Sequence, residues 1–272
     1  MGLDYPALLR DLERESDRLI DCLYSAAESD WEAPTPAAGW AVRDQISHLA
    51  FFDDFAHLAM TNANLFRVEA AELTSLGPDF PDRAAERYRH LTRCDLLNWF
   101  TESRQRLLSQ FTTDDPKRRL PWFGPDMSVA SSATARLMET WAHGRDVYDT
   151  LGVVAPPSPG LRSIAHLGVS TFAFAHRLRG LQVPAEPVHV TLNAPDRDEV
   201  WTWGPADADN RISGPAEDFV LVVTQRRHPD DTELTIQGDV ASAWMAIAQA
   251  YAGEPGPGRP SRTATARREF DR

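Results

Sequence analysis

The sequence has few cysteines, and the two it has lie far apart. Cys22 and Cys94 both fall within helical patterns, and two isolated thiols form neither a disulfide framework nor a cysteine-rich zinc ribbon. No apolar run is long enough to span a bilayer, and no cationic, apolar leader opens the chain. These absences predict a cytoplasmic protein without a membrane partner.

Positive charge is scarce relative to negative charge. The 272 residues include 28 Lys and Arg against 40 Asp and Glu, which gives a formal net charge of -12 at pH 7. A polyanion gains affinity mainly from clustered Lys and Arg, so we expect no nucleic-acid partner. A glycine-rich phosphate loop, a Gly-x-Ser-x-Gly elbow and a Cys-x-x-Cys motif are also missing, so the usual nucleotide, serine-hydrolase and dithiol sites lack support.

Apolar residues recur at three- and four-residue spacing in four long segments of the first half, which predicts amphipathic helices. The segments cover about residues 3–28, 42–61, 91–111 and 129–151. Gly152 is suited to end the last of them as a C-cap. Residues 62–90 are punctuated by proline and predict a long connection with one helical piece near its end. This arrangement favours a four-helix bundle over residues 1–155.

The pattern changes at Pro156, where prolines and a glycine form a linker. A helix is predicted over about residues 161–178, and further helices over 217–226 and 240–252. Short alternating runs at 188–192, 199–203 and 233–236 are typical of strands. We therefore predict an α+β fold class, with the bundle followed by a small α+β domain over residues 156–252. Residues 253–272 are predicted to be a flexible tail beyond a short tether.

The last helix of the predicted bundle carries an acid and an imidazole four positions apart, Glu139 and His143. This spacing places both side chains on one side of the helix, close enough to bind the same ion. His48 lies far upstream on an apolar helix face, where burial helps to keep an imidazole neutral. We interpret the three residues as ligands of a divalent metal, zinc, with a fourth position left open for chemistry.

Two other acid–imidazole pairs have the same spacing, Asp53 with His57 and Glu86 with His90. Spacing alone therefore does not choose among the three pairs. The alternative interpretation of each is a solvated pair across one helical turn, which stabilises a helix by roughly a few tenths of a kcal/mol.

The positions of the ligands on their helices leave alternatives open as well. Glu139 and His143 lie opposite the apolar stripe of their helix. They form a site only if the second domain or the 62–90 connection covers them. A lone histidine on an apolar face, such as His48, is more often a hydrogen-bonded core residue than a metal ligand.

Three further residues are candidates for a binding site. Trp122 stands at a turn before the last bundle helix, where it could form a pocket wall. Arg226 and Arg227 follow an apolar helical stretch and could bind an anion. The alternative, which the residues alone favour, is that these cations complete a helix C-terminus.

Several stretches of the sequence resemble a known family. The motif Trp-Phe-Gly-Pro-x-Met-Ser begins at Trp122, and Met-Glu-Thr-Trp-Ala-His-Gly begins at Met138. Together with residues 39–50, 222–228 and 248–253, they resemble the mycothiol-dependent maleylpyruvate isomerase branch of the DinB-like superfamily. The closer similarity is to an actinobacterial subfamily described only as metal-binding, and it extends over nearly the whole chain.

The resemblance implies a four-helix bundle with a His, Glu, His zinc triad, whose positions fall on His48, Glu139 and His143. It also implies a functional arginine in the C-terminal domain. Arg226 is the nearest counterpart of that arginine, and Arg227 is the alternative.

One departure from the family pattern concerns the start of the second helix. Relatives commonly have Ser or Thr where this chain has Ala41. Losing such a cap costs about 1 kcal/mol, which bears on the stability of the helix end rather than on the metal.

The activity that the resemblance implies is thiol chemistry at zinc. Zinc with an open position lowers the pKa of a bound thiol, so the thiolate that attacks carbon forms at neutral pH. No cysteine lies near the motif, so the nucleophile would be a small thiol, with mycothiol as the co-substrate. Attack on an activated double bond, followed by rotation and release, gives isomerisation. Attack that expels a leaving group gives S-transfer or thiol exchange.

Three functional hypotheses follow. The first is a zinc- and thiol-dependent transferase or isomerase, monomeric or homodimeric, in which Arg226 or Arg227 binds a carboxylate of a small electrophile or the polar head of the thiol. The second is a metal-assisted hydrolase that uses zinc-bound water, with Asp44 or Asp146 as the base. The third is a non-catalytic metal-binding protein, in which a fourth protein ligand would close the coordination shell.

Overall fold

The computed structural model describes residues 4–195 and 198–262. Their contacts divide the chain into two units, with the boundary between Pro156 and Pro157. None of the helices in these two ranges is long and apolar enough to cross a membrane.

The first unit is almost entirely helical. In chain order it contains α1 (Tyr5–Ser25), α2 (Val42–Thr61), α3 (Ala63–Ser75), α4 (Phe80–Arg87), α5 (Arg93–Thr113), the antiparallel strands β1 (Arg119–Leu120) and β2 (Met127–Ser128), and α6 (Val129–Leu151). The long helices α1 and α2 each pack against both α5 and α6. These four helices form the predicted bundle, and α1 lies diagonally opposite α2.

Apolar side chains from the four long helices fill the interior of the bundle. The cluster includes Leu19, Leu23, Val42, Ile46, Leu49, Leu96, Phe100 and Val147, none of which is more than 1% exposed. Burial of each such side chain contributes about 1.5–3 kcal/mol. The cluster therefore supplies much of the energy that holds α2 against α5 and α6.

The connection between α2 and α5 contains more helix than the sequence predicts. Residues 62–90 form α3 as well as α4, whereas the pattern predicts only one helical piece. The side chain of Asn62 caps α3 by accepting a hydrogen bond from the Leu65 N–H at 3.1 Å. Only Phe66 and Ala70 of α3 are buried. A helix with so few buried positions needs little apolar periodicity, so the sequence pattern does not reveal α3.

The N-terminus of α2 compensates for the missing side-chain cap at Ala41. The Asp44 carboxylate reaches back and accepts a hydrogen bond from the Ala41 N–H at 2.8 Å, which is half of a capping box. The same carboxylate accepts two hydrogen bonds from Arg89, at 2.9 and 3.0 Å. The first turn of α2 is therefore held in place even though Ala41 offers no acceptor of its own.

The second unit combines four helices with a four-stranded sheet in the described ranges. In chain order it contains α7 (Leu161–Ser170), α8 (Phe172–Leu178), β3 (Val188–Asn193), β4 (Val200–Trp203), β5 (Asn210–Pro215), α9 (Ala216–Val223), β6 (Thr235–Gln237) and α10 (Asp239–Ile247). The sheet order is β4-β3-β5-β6, and only β3 and β5 are parallel. The predicted α+β fold class is confirmed.

Two elements of the second unit differ from the sequence prediction. The helix predicted over residues 161–178 is interrupted at Thr171, so it forms α7 and α8. Strand β5 is an inner strand, but the sequence pattern does not predict it. Its residues Asn-Arg-Ile-Ser-Gly-Pro have little intrinsic strand preference, so the two neighbouring strands impose the extended conformation.

The chain beyond α10 turns back onto the second unit. The Gln249 side chain donates to the Gly253 carbonyl at 3.0 Å, and Arg179 donates to the Gly256 carbonyl at 3.2 Å. The Arg262 N–H donates to the Asp231 carboxylate at 2.8 Å. The first part of the predicted tail, residues 253–262, thus contacts the second unit. The rest of that tail, residues 263–272, lies outside the described residues.

A buried charge network ties the bundle together. Asp53 of α2 accepts hydrogen bonds from Arg104 of α5 at 2.7 and 3.1 Å, and from Arg136 of α6 at 2.9 Å. The carboxylate is fully buried and each arginine side chain is only 3% exposed. Arg104 also donates to Ser16 of α1. One carboxylate therefore links two cations, and the network reaches all four long helices.

We expect Asp53→Ala to lower the free energy of unfolding by about 3–5 kcal/mol, because two guanidinium groups would stay buried without their counterion. Urea denaturation measures the change. The matched control is Asp79→Ala, which removes the exposed pair formed with Arg83 at 3.0 Å and should cost about 1 kcal/mol or less. Equal losses in the two variants would contradict the role of the network.

We also expect Ala41→Ser to raise the free energy of unfolding by about 0.5–1 kcal/mol, because the new hydroxyl can accept from the first turn of α2. Thermal and urea unfolding measure the gain. Ala38→Ser, in the exposed turn that precedes the helix, is the control and should have no effect. No gain for Ala41→Ser would contradict the expectation that the first turn of α2 lacks a side-chain acceptor, because Asp44 accepts from the Ala41 N–H and not from that turn.

Candidate metal centre

The three predicted metal ligands come from two packed helices, His48 from α2 and both Glu139 and His143 from α6. The His143 Nε2 atom lies 3.0 Å from Glu139 Oε2, and the His48 Nε2 atom lies 3.7 Å from the same oxygen. Ligand atoms of all three residues lie within 4.8 Å of one another. The packing of α2 on α6 thus brings the predicted residues together.

The side of α6 that carries Glu139 and His143 is mostly shielded from solvent, although the helical wheel makes it the polar side. The side chain of His48 is 12% exposed, that of Glu139 is 21% exposed and that of His143 is 10% exposed. Part of the cover is Trp40, whose indole N–H donates to Asp82 of α4 at 2.6 Å. The 62–90 connection therefore helps to hold this covering ring in place.

The protonation of the three residues suits a cation site. Burial lowers the pKa of His48 to about 4, and the neighbouring His143 adds to this effect. Burial alone would raise the pKa of Glu139, but the imidazoles of His143 and His48 outweigh it and hold that pKa well below its usual range. At neutral pH, His48 is therefore neutral and Glu139 is ionised, which is the form in which both bind metals.

The orientation of the rings provides a test of fit. The His143 Nδ1 atom lies 2.5 Å from the Gln45 side-chain oxygen, so Nδ1 donates and Nε2 keeps its lone pair in the neutral ring. That lone pair faces a carboxylate oxygen, and two acceptors at 3.0 Å repel each other unless a cation or proton lies between them. Two imidazoles and one carboxylate are also a ligand set of catalytic zinc sites. The donor set fits zinc.

The other two pairs with four-residue spacing do not form such a cluster. Asp53 is occupied by Arg104 and Arg136, as described above. His90 is exposed, and its Nδ1 lies 2.9 Å from the Arg87 carbonyl oxygen within the same turn. Within residues 4–195 and 198–262, His48, Glu139 and His143 form the one group of three or more ligand residues with converging atoms.

Aromatic rings surround the imidazoles. The Trp40 ring lies 5.1 Å from that of His48 and 5.8 Å from that of His143, and it is stacked on the latter. The Phe52 ring lies 4.6 Å from that of His48. The ring of Trp122 lies 6.3 Å from that of Phe52, so Phe52 links Trp122 to His48. Trp122 is the pocket wall predicted from the sequence, whereas Trp40 and Phe52 are not among the predicted site residues.

Arg226 and Arg227 lie in the second unit, just after α9. The helix ends at Val223 rather than at Arg226, because Gln225 adopts a left-handed conformation with φ of 59°. The N–H groups of both arginines donate to the Leu221 carbonyl, at 2.7 and 3.2 Å. The Arg226 guanidinium donates to the Thr224 carbonyl at 2.8 Å. The Arg226 side chain thus contacts the end of α9, and the anion-binding role of the two arginines stays a prediction.

The chain thus consists of a four-helix bundle that carries the triad, followed by a small α+β unit. Residues 12–148 match the family described as mycothiol maleylpyruvate isomerase N-terminal domain. Residues 167–243 match the C-terminal domain of the same family. The chain therefore belongs to the mycothiol maleylpyruvate isomerase family, and the resemblance predicted from the motifs is confirmed.

Individual proteins are similar to this chain over most of its length. Two uncharacterized proteins, from two strains of Mycobacterium tuberculosis, are each 45% identical over 250 residues, covering 92% of this chain and 96% of theirs. Crystal structures of the mycothiol-dependent maleylpyruvate isomerase and of a mutant of that enzyme both share the fold with a TM-score of 0.60. They are 16% and 17% identical, and the match covers 93% of this chain and 97% of each of theirs.

We expect His143→Ala to weaken zinc binding by more than about 100-fold, which is the upper range for losing an outer-shell partner of a zinc ligand. Competition with a chromophoric chelator at pH 7 measures the affinity. His90→Ala is the matched control, since it removes an exposed histidine with the same spacing from an acid, and it should leave the affinity unchanged. Similar affinities in the two variants would rule out the triad as the zinc site.

Proposed function

We propose that this protein is a zinc-dependent enzyme that uses a low-molecular-weight thiol, mycothiol, to attack a small electrophilic substrate. The observation that carries the proposal is the convergence of His48 Nε2, Glu139 Oε2 and His143 Nε2. Membership of the mycothiol maleylpyruvate isomerase family supports the choice of thiol.

The three side chains would hold zinc with two imidazole nitrogens and one carboxylate oxygen. A zinc ion bound there supplies positive charge that lowers the pKa of a thiol placed beside it. Trp40 and Phe52 lie against the imidazole rings and exclude water from those sides. The described residues contribute three converging ligands and not a fourth, which favours an open site over a closed structural one.

The chain's own cysteines are poorly suited to provide the reacting sulfur. Burial raises the pKa of Cys22 on α1, so this thiol stays protonated at neutral pH. Cys94 is exposed in the first turn of α5. Neither cysteine belongs to the ligand cluster. An external thiol is therefore needed, and it acts as a co-substrate rather than as part of the protein.

Two reactions are open to the resulting thiolate. Addition to an activated double bond, rotation about the new single bond and loss of the same thiolate give an isomer. The solved relative is an isomerase by name. Displacement of a leaving group by the thiolate gives S-transfer. We propose Trp122 as a wall of the substrate site, and Arg226 or Arg227 as the cation for a carboxylate or for the polar head of the thiol.

The hydrolase alternative needs a free base close to the metal. Asp44 is buried and holds both Arg89 and the Ala41 N–H, so it is engaged in holding the start of α2. Asp146 is fully buried and has a partner of its own. Neither residue offers the accessible carboxylate that zinc-bound water would require, which favours thiol chemistry.

The test is turnover by the zinc-loaded protein with and without added mycothiol. Maleylpyruvate serves as the double-bond substrate, and 1-chloro-2,4-dinitrobenzene serves as the substrate with a leaving group. We expect turnover of at least one of them to depend on the thiol, and to fall at least about 30-fold in His143→Ala. The reason is that a free thiol with a pKa near 8.5 is only about 3% thiolate at pH 7.

His90→Ala should keep the wild-type rate in this assay. Wild-type turnover that needs no thiol would replace the proposal with the hydrolase. Full thiol-dependent activity in His143→Ala would show that the triad takes no part in the reaction.

A further inference from the structure

A fully buried amide links the two helices that carry the triad. Gln45 lies three residues before His48 on α2, and its side chain has no exposure to solvent. Its oxygen accepts a hydrogen bond from Nδ1 of His143 at 2.5 Å. Its NH2 group donates to the Thr35 hydroxyl at 2.8 Å. Both ends of the amide therefore have a partner, one on α6 and one in the segment before α2.

The Thr35 hydroxyl determines which way this amide points. Thr35 donates its single proton to the Trp40 carbonyl oxygen, at 2.8 Å. The hydroxyl therefore presents a lone pair to Gln45, and only the NH2 end of an amide can donate to it. The amide oxygen must then face His143, where it accepts only from a protonated Nδ1.

We infer that Gln45 is a positioning residue for the metal ligand His143. The ordered bonds from the Trp40 carbonyl through Thr35 and Gln45 fix the proton of His143 on Nδ1 and aim Nε2 at Glu139. This inference rests on the proposed function, since it gives Gln45 the outer-shell role that carboxylates and carbonyls have for other metal-binding histidines.

The two histidines of the triad differ in this respect. The Nδ1 atom of His48 is buried and has no hydrogen-bond partner among the described residues. The orientation of His48 therefore depends on packing against Trp40 and Phe52. His143 is the ligand whose tautomer is fixed by a specific bond. Helix α2 thus supplies one ligand directly and orients a second one on α6.

Substitutions that keep or remove the side-chain oxygen of Gln45 distinguish a positioning role from a purely structural one. Gln45→Glu keeps an oxygen that accepts from His143, and the Thr35 hydroxyl can turn to donate to the other oxygen. Gln45→Leu keeps much of the volume but removes the acceptor. Gln105→Leu, on the exposed side of α5, is the matched control for the change from Gln to Leu.

The experiment measures the zinc dissociation constant of the four proteins at pH 7 by chelator competition, and their unfolding in urea with chelator present. We expect Gln45→Leu to bind zinc about 10- to 100-fold more weakly than the wild type. Gln45→Glu should bind within about 10-fold of the wild type or more tightly, since a carboxylate partner raises the basicity of the ligand. Gln105→Leu should match the wild type.

A second readout does not depend on zinc or on activity. Nitrogen NMR of the zinc-free wild type, with labelled histidine, should show a proton on Nδ1 of His143, and this preference should be lost in Gln45→Leu. A bare Nδ1 in the wild type would overturn the inference. So would a Gln45→Leu protein that binds zinc as tightly as the wild type, or a folded Gln45→Glu protein that binds as weakly as Gln45→Leu.

The readouts also separate this inference from the proposed function. If the wild type shows no thiol-dependent turnover but Gln45→Leu weakens zinc binding and loses the Nδ1 preference, the reaction is wrong and the positioning role stands. If thiol-dependent turnover is present and Gln45→Leu changes neither zinc binding nor the tautomer, the function stands and Gln45 is only a core residue.

Discussion

The register between α2 and α6 decides whether the three ligand atoms meet, and the buried pair of Asp53 with Arg136 fixes that register. Asp53 lies five residues after His48, and Arg136 lies three residues before Glu139. Their 2.9 Å contact therefore sits one turn or so from the metal centre on both helices. Sliding one helix by a turn, about 5.4 Å, would break the ion pair and would at the same time move the ligand atoms apart.

Much of the helical framework could be predicted from the sequence because its signals are local. The pattern predicts a helix over residues 42–61 and another over 129–151 with Gly152 as its cap, and both have those bounds in the structure. The family motifs that contain Glu139 and His143 are local as well. In contrast, β5 and α3 depend on neighbours rather than on their own residues, so the sequence pattern does not reveal them.

The surroundings of the triad could not be predicted, because they depend on contacts between distant residues. A helical wheel assigns the Glu139 side of α6 to solvent because that side is polar. This assignment assumes that polar side chains have no polar partner inside the protein. The structure provides one, since Gln45 bonds His143 across 98 positions in the chain. No spacing rule connects these two residues. Trp40 is missed for the same reason, because its cover of the imidazoles depends on a bond to Asp82 in α4.

Residues 45–53 of α2 make three different contacts. Gln45 bonds His143, His48 belongs to the triad, and Asp53 binds Arg104 and Arg136. Each residue of an α-helix is rotated about 100° from the one before it, so a single insertion or deletion inside this stretch would turn the residues on one side of the change away from their partners. Differences in chain length among relatives are therefore expected to collect in the α2–α5 connection. The number of residues between Gln45 and Asp53 is therefore constrained both by the buried ion pairs and by the triad.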